Sequence, residues 1–579
     1  MTNLFTSKQL QIRHASFLKS EKALGLYNKS QIQFYWDFNV RLILLSFLFF
    51  YGFQLHAQDL PPATSLVYPG VNGKLTYIAD SLGNTIPDFS NAGYEGGGKP
   101  IPYVAAKETV WPVLGDNSEN IQKAIDKVSA MPLLPDGFRG AILLKMGHYQ
   151  LDKPIYIRAS GIVLRGEGKS DIGTILFGKI TVQPEGGQRF RRPALINIGG
   201  NDGMLIQEES KQMITNVYVP VGSNSFEVVS AKTFKVGDSI VVRRYGNEDW
   251  IKEIGMDSVK VGRNSWRPFN ILFDRVITEI KGNTIKVDAP IFTAIDKRWG
   301  GGEILKYNDQ RIHHVGVENL RGISEFDPSV RTTTYGNMDR DKLDAAFKYV
   351  GDEYFSDENH YSNFINISNA KNVWVRNMDA LHFANSVVQS NAGTKWITIQ
   401  DCESKEPVSI RMGARRFTYQ MNGQMCLVQR CTSQKGRHSF VLQGSEASGN
   451  VFLNCTAVNP YSTSEPHNKW VNGVLYDNVK APLTARYWDY IIGWAGANIV
   501  FWNCEGDFLV QKPPTAQNYS FGHIGINAVI FNAGLQDLTK PNGHVESMDK
   551  HVFPKSLYLT QLKERLGVEA VQNTTGLGN

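Results

Sequence analysis

Short segments in which apolar and polar positions alternate recur through the second half of the chain. They are residues 314–320, 372–378, 396–402, 426–431, 451–455, 474–479 and 499–504. Each reaches a polar residue one position before its end: Asn319, Asn377, Asp401, Arg430, Asn454, Asn478 and Asn503. These closing positions lie 58, 24, 29, 24, 24 and 25 residues apart. Period-two alternation rich in β-branched and aromatic residues excludes helical repeats. A period near 24 with one such strand per unit is the signature of a solenoid. The step of 58 reads as two coils and an excursion.

The residue after each closing position is Cys in four segments (Cys402, Cys431, Cys455, Cys504), with Met378 and Val479 in the same place. In stacked coils one register position forms an inward column of like side chains, so these thiols are assigned to packing. The closing Asn residues fit turns that need left-handed backbone geometry. Upstream, Ile121, Ala124, Ile125 and Val128 mark an amphipathic helix, with Ser118 as its candidate N-cap. Strand-like runs follow at 140–146, 154–159 and 162–168.

The order NIQKAIDKV, AILLKMGHYQLDKPIYI, GIVLRGEG resembles the pectate-lyase-like superfamily of secreted β-helix proteins of polysaccharide-lyase type. The resemblance spans most of residues 85–535 and implies an all-β, right-handed parallel β-helix with carbohydrate chemistry. It transfers no catalytic residue. On this reading residues 58–104 are an extended segment and 105–204 are the first coils with their capping helix. Residues 205–300 break the period as an inserted antiparallel β subdomain, 301–535 are the main coils, and 536–579 are a tail with a capping helix at 556–567.

The chain has 579 residues and a formal charge of +6, but the first 57 residues hold six Lys/Arg against two Asp/Glu. The remainder is nearly neutral, which makes no general case for nucleic acid or an anionic membrane. The apolar run 42–53 is too short to span a bilayer and, with Arg41 before it and Ala57 after it, reads as a secretory signal over 1–57. A secreted or periplasmic protein without stable membrane insertion is expected. Five Cys with no CxxC pair describe neither a disulfide framework nor a zinc site.

Equal offsets from the closing residues align on successive coils about 4.8 Å apart. By that measure Arg411, Arg416, His438, His467, Lys469 and Arg486 fall along one side, with Arg437, Trp470, Tyr487 and Trp488 beside them. Cations interleaved with aromatics suit an acidic polysaccharide: Arg pairs with carboxylates and aromatic faces stack on sugar rings. β-Elimination from a uronate needs a clamp, a base and an acid, which His, Arg, Lys and Tyr can supply without metal. The expected roles are Arg411 and Arg486 as clamps, His438 as base, and Lys469, His467 or Tyr487 in support. Arg416, Arg437, Trp470, Tyr487 and Trp488 are expected to bind substrate.

Hydrolysis would need two carboxyl groups about 5–9.5 Å apart. Glu403, Glu406, Glu446, Glu465, Asp477 and Asp489 are available, but their offsets bring no two clearly together. A uronate epimerase would share the clamp and base, and a non-catalytic glycan-binding adhesin is the remaining alternative. No cofactor is predicted. The acidic stretch 352–359 offers oxygen ligands for Ca2+, but its spacing matches no known loop and a solvated loop is the simpler reading.

Overall fold

The computed structural model describes residues 62–180, 194–258, 265–334, 352–488, 492–527 and 537–576. The signal expected over 1–57 lies outside them. Each repeating segment forms a strand that pairs in parallel with its counterpart one coil on. A first sheet runs from Ala106–Val110 through Gly140–Leu144, Ile162–Gly166, Ile312–Ser324, Ala370–Leu381 and Lys395–Gln400. It continues through Leu427–Gln429, Ser448–Leu453, Val471–Asp477 and Gly496–Trp502 to Tyr519–Phe521 and His544–Glu546. A second sheet includes Gly147–Leu151, Thr174–Gly178, Glu403–Lys405, Thr432–Gln434 and Thr456–Val458. The third holds Ile155–Ile157, Ile196–Ile198, Asn363–Ile367, Ser386–Ser390, Phe417–Met421, His438–Gln443 and Glu465–Asn468. Leu483–Ala485 and Phe508–Val510 extend that third side by two coils. The three sheets enclose one apolar core, which makes the chain a parallel β-helix.

All seven closing residues adopt positive φ, between 50° and 59°. Asn and Asp tolerate this turn best. Neighbouring members also bond along the stack: Asn377 donates to Asn319 Oδ1 at 2.8 Å, and Arg430 forks onto Asp401 at 2.7 and 2.9 Å. One position on, Leu320, Met378, Cys402, Cys431, Cys455, Val479 and Cys504 fall in one register column inside the core. Burial pushes the Cys402 and Cys455 thiols well above their usual range, so these sulfurs are packing groups.

The step of 58 is one coil, not two, because Leu320 pairs directly with Met378. The chain between Ile312–Ser324 and Asn363–Ile367, where it passes from the second sheet to the third, is correspondingly long. The step of 29 places its surplus in the same turn two coils on, at residues 406–416. The intervening turn, 382–385, is short, so the two long turns meet over it: Arg411 N donates to Tyr354 Oη at 3.3 Å.

A six-stranded antiparallel sheet built from strands between Met204 and Asp309 occupies a single coil, between Ile196–Ile198 and Ile312–Ser324. It covers the first sheet's other face, where Leu427, Val451, Leu475, Val500 and Trp502 join its core. That double burial is why outward positions of the alternating segments, such as Leu427, Val451, Leu475 and Val500, are apolar as well. The contact is close: a Cβ on Gly473 would meet the Phe292 ring at 2.2 Å.

The amino-terminal helix, Ser118–Ser129, buries Ile121, Ala124, Ile125 and Val128 over the first coils. Its N-cap is Asn117 rather than Ser118, whose hydroxyl instead donates to Asp116 Oδ1 at 2.5 Å. At the other end Ser556 caps Leu557–Leu566 by accepting from Leu559 N at 3.1 Å, and a second helix, Val568–Thr575, follows Gly567. No helix among the described residues is long and apolar enough to cross a membrane.

Candidate active site

Three successive coils of the third side bring His438, then Thr463, Glu465 and His467, then Thr484 and Arg486 together. His438 opens the strand His438–Gln443 because the preceding turn ends at Arg416, whose carbonyl accepts from Arg437 N at 2.9 Å and His438 N at 3.2 Å. Glu465 is the centre of the cluster. Its Oε1 accepts from His467 Nδ1 at 2.7 Å and lies 3.5 Å from His438 Nδ1. Its Oε2 accepts from Thr463 Oγ1 and Thr484 Oγ1 at 2.7 Å each and from Arg486 at 3.0 Å. Both carboxylate oxygens therefore already accept hydrogen bonds.

His438 Nδ1 donates to the Thr463 carbonyl at 2.5 Å, which leaves Nε2 as the lone-pair nitrogen. That Nε2 is buried without a hydrogen-bond partner, and the residue is 1% exposed. The His467 ring lies 4.8 Å from that of His438, and the Phe417 ring packs edge-on against both at 5.0 and 5.1 Å. The His467 side chain keeps 12% exposure, so it is the imidazole that meets solvent.

Burial lowers the proton affinity of both imidazoles, well below the usual value for His438, with Glu465 pulling the other way. Burial alone would raise Glu465, but Arg486 and the two histidines overcome it and hold the carboxyl well below its ordinary range. Near neutral pH the cluster is thus two neutral imidazoles beside an ionised, charge-paired carboxylate.

The aligned stripe divides into two neighbouring sets. His438, His467 and Arg486 converge on Glu465, and Trp488 lies under the Arg486 guanidinium, 4.9 Å from Cζ to ring centre. Arg437 belongs beside them, its guanidinium 5.7 Å from the Phe417 ring. Arg486 is not an open clamp, because an internal carboxylate already takes its charge. Arg411 and Arg416 instead turn into the pocket between the two long turns, where their guanidiniums share Tyr354 and Tyr461.

Three residues leave the site. Trp470 is wholly buried, its ring edge-on to Trp250 of the antiparallel sheet region at 5.1 Å, and so is a core residue. Tyr487 is buried against Trp494 at 5.2 Å, with the Lys540 amine over its ring. Lys469 sits exposed at a left-handed corner, φ 62°, and bonds to none of the cluster among the described residues.

The sequence offered Glu465 only as a hydrolytic carboxyl and gave no weight to Thr463 and Thr484. The alternation of Thr463, Glu465 and His467 in one coil, with Thr484 and Arg486 alternating in the next, was the signal available. Asp489 lies outside the described residues. Three of the four acids at 352–359 are taken by protein donors: Glu353 pairs with Arg331, Glu358 with Arg415, and Asp357 caps Asp327 N and Asn359 N. Among the described residues, the group that brings three metal-type ligands within 4.8 Å is His438, Glu465 and His467. Arg486 already pairs with that carboxylate, which makes the group a poor cation site.

No family model and no curated protein matches this sequence. Among solved structures, the chain is similar to the tailspike of Pseudomonas phage phi297, at 9% identity over 72% of this chain and 69% of that one, with a TM-score of 0.29. A Geobacillus virus E2 protein matches at 10% identity over 72% of this chain and 57% of its own, with a TM-score of 0.35. DFA-IIIase from Arthrobacter chlorophenolicus matches at 11% identity over 79% of this chain and 88% of that one, with a TM-score of 0.32.

Proposed function

We propose that this chain is an exported carbohydrate-active enzyme, a polysaccharide lyase that cleaves a uronic-acid-containing polymer by β-elimination. The observation that carries the reading is the pair of neutral imidazoles with Nδ1 protons committed to internal acceptors, Thr463 O and Glu465 Oε1. Each ring is left with a basic Nε2, the state a general base requires. His467 takes the place first given to His438, because His438 is sealed and His467 reaches solvent.

In the proposed step His467 Nε2 removes the proton on the carbon beside the uronate carboxyl. The freed electron pair forms the ring double bond, and the bond to the departing sugar oxygen breaks. The imidazolium then hands that oxygen the same proton. Arg437 supplies positive charge next to both rings, and Glu465, Arg486 and His438 are positioning residues. Hydrolysis is disfavoured at this site, since Glu465 already accepts from His467, Thr463, Thr484 and Arg486 and is held ionised, which suits neither an acid nor a nucleophile.

The test is ultraviolet absorbance from the conjugated product on a panel of uronic-acid polymers. His467→Ala should lose about 10²–10⁴-fold in turnover, the range of general-base effects. New reducing ends without new absorbance would replace this reading with hydrolysis. Export is checked by amino-terminal sequencing of secreted protein, expected to begin near residue 58.

A further inference from the structure

Between the two long turns lies a cavity of about 470 Å³ bordered by Tyr354, His382, Arg411, Arg416, Lys435 and Tyr461. Arg411 is clamped face-on by two rings, with Cζ 3.9 Å from the centres of both Tyr354 and Tyr461. Both faces of its guanidinium are occupied, so only its edge is left for a ligand, and its buried Nε has no hydrogen-bond partner. Arg416 lies against the same two rings at 5.6 and 5.4 Å and is only 3% exposed. Its donors reach neutral groups, Ser409 Oγ at 3.2 Å, Ser409 O at 2.7 Å and Lys435 O at 3.5 Å.

Among the described residues neither arginine has a carboxylate partner, although other cations in these turns do. Arg331 is paired with Glu353, and Arg415 with Glu358. Three acids border the cavity: Glu353 is the one paired with Arg331, Glu406 is turned to His382 at 3.5 Å, and Asp352 makes no ion pair with either arginine among the described residues. Two guanidiniums held together without a counter-charge, one of them buried, are costly unless an anion completes the site. Burial, reinforced by repulsion from Arg411, brings Arg416 down to about 10, which is the mark of an uncompensated cation. A planar fork presented edge-on matches a carboxylate in two-point contact. The cavity is one peptide from the histidine cluster, since the Arg416 carbonyl holds the His438 amide.

We propose that Arg411 and Arg416 form a separate subsite that binds the carboxylate of an acidic sugar unit, next to the unit that reaches His467. The assignment rests on the acidic-saccharide reading above, yet it is tested by binding rather than turnover. Calorimetric titrations use D-glucuronate, a uronate tetrasaccharide, glucose and inorganic sulfate on the His467→Ala protein, with mass spectrometry checking that the tetrasaccharide stays intact during the titration. The tetrasaccharide and glucuronate should bind and glucose should not. Arg411→Gln should weaken the tetrasaccharide about 10- to 100-fold, as expected for losing a hydrogen bond to a charged group.

Arg416→Gln should do the same. If that variant does not fold, the half-buried Arg411 decides alone, with circular dichroism confirming its fold. Unchanged affinity in Arg411→Gln overturns the subsite, as does equal binding of glucose, or binding of sulfate without glucuronate. Because turnover is not the readout, loss of binding in Arg411→Gln sustains the subsite even if the elimination chemistry proves wrong. Conversely, an active lyase with unaltered binding in Arg411→Gln removes only the subsite.

Discussion

Replacing Glu465 by Gln removes one negative charge from the centre of the cluster while keeping its shape. The amide oxygen can still accept from His467 Nδ1, which sits 2.7 Å from Oε1. On the other side the new NH2 meets Thr463 Oγ1, Thr484 Oγ1 and Arg486, all of which donate to Oε2 in the native protein. The two hydroxyls can rotate to accept, but the guanidinium cannot. Arg486, 7% exposed, is then an unpaired buried charge, and breaking such a pair from one side costs about 3–5 kcal/mol.

Urea unfolding followed by circular dichroism should show that loss, and the Glu465→Gln/Arg486→Gln double variant should lose less than the sum of the singles. The shortfall, about 0.5–3 kcal/mol, measures the coupling of residues in one network. The sign with pH follows. Glu465 is held low in the folded state, so its stabilisation is present above the unfolded carboxylate range and is lost as pH falls through the folded value. A Glu465→Gln protein within about 0.5 kcal/mol of wild type, the ordinary range for inconsequential surface changes, would refute the buried-anchor argument.

Both histidines titrate below the usual imidazole value, so the acid limb of kcat/KM should have its midpoint below pH ~6.5, and a midpoint above it would remove the neutral-imidazole premise. Gly473→Ala should be destabilised by about 1–3 kcal/mol from overpacking alone, because its Cβ would press on Phe292 from a left-handed backbone position, φ 58°. Thermal unfolding checks this. The five buried cysteines should resist a thiol reagent in native protein and react when it is unfolded, and rapid native labelling of Cys402, Cys431 or Cys455 would contradict the packing column. Asp477→Ala should expose the carboxy-terminal helix to protease, since Asp477 Oδ2 accepts from Ser556 Oγ and Tyr558 N at 2.8 Å each.

The coil was legible because each repeat carries two independent marks, a closing residue at positive φ and a soft residue behind it, and both obey one register. The carboxy-terminal helix was legible for the same local reason, since Ser556 and Gly567 bracket it, whereas at the amino-terminal helix the cap falls on Asn117 and not on Ser118. The 58-residue step was misread because counting cannot tell an extra coil from a long turn; the pairing of Leu320 with Met378 can. Equal offsets brought His438, His467 and Arg486 to the same side but said nothing of where each side chain turns. Arg416 and His438 share a backbone hydrogen bond and still serve different pockets. Aromatic residues were the weakest guide. Trp470 and Tyr487 look like sugar platforms in sequence, but the antiparallel sheet region and the hairpin with Trp494 bury them.

The most direct test of imidazole-driven elimination is the mass of the products from a defined uronate oligosaccharide. Elimination adds no water, so the two fragments should together equal the parent, with the new non-reducing end unsaturated, and the pair should vanish with His467→Ala. Fragments that together exceed the parent by one water would contradict the account.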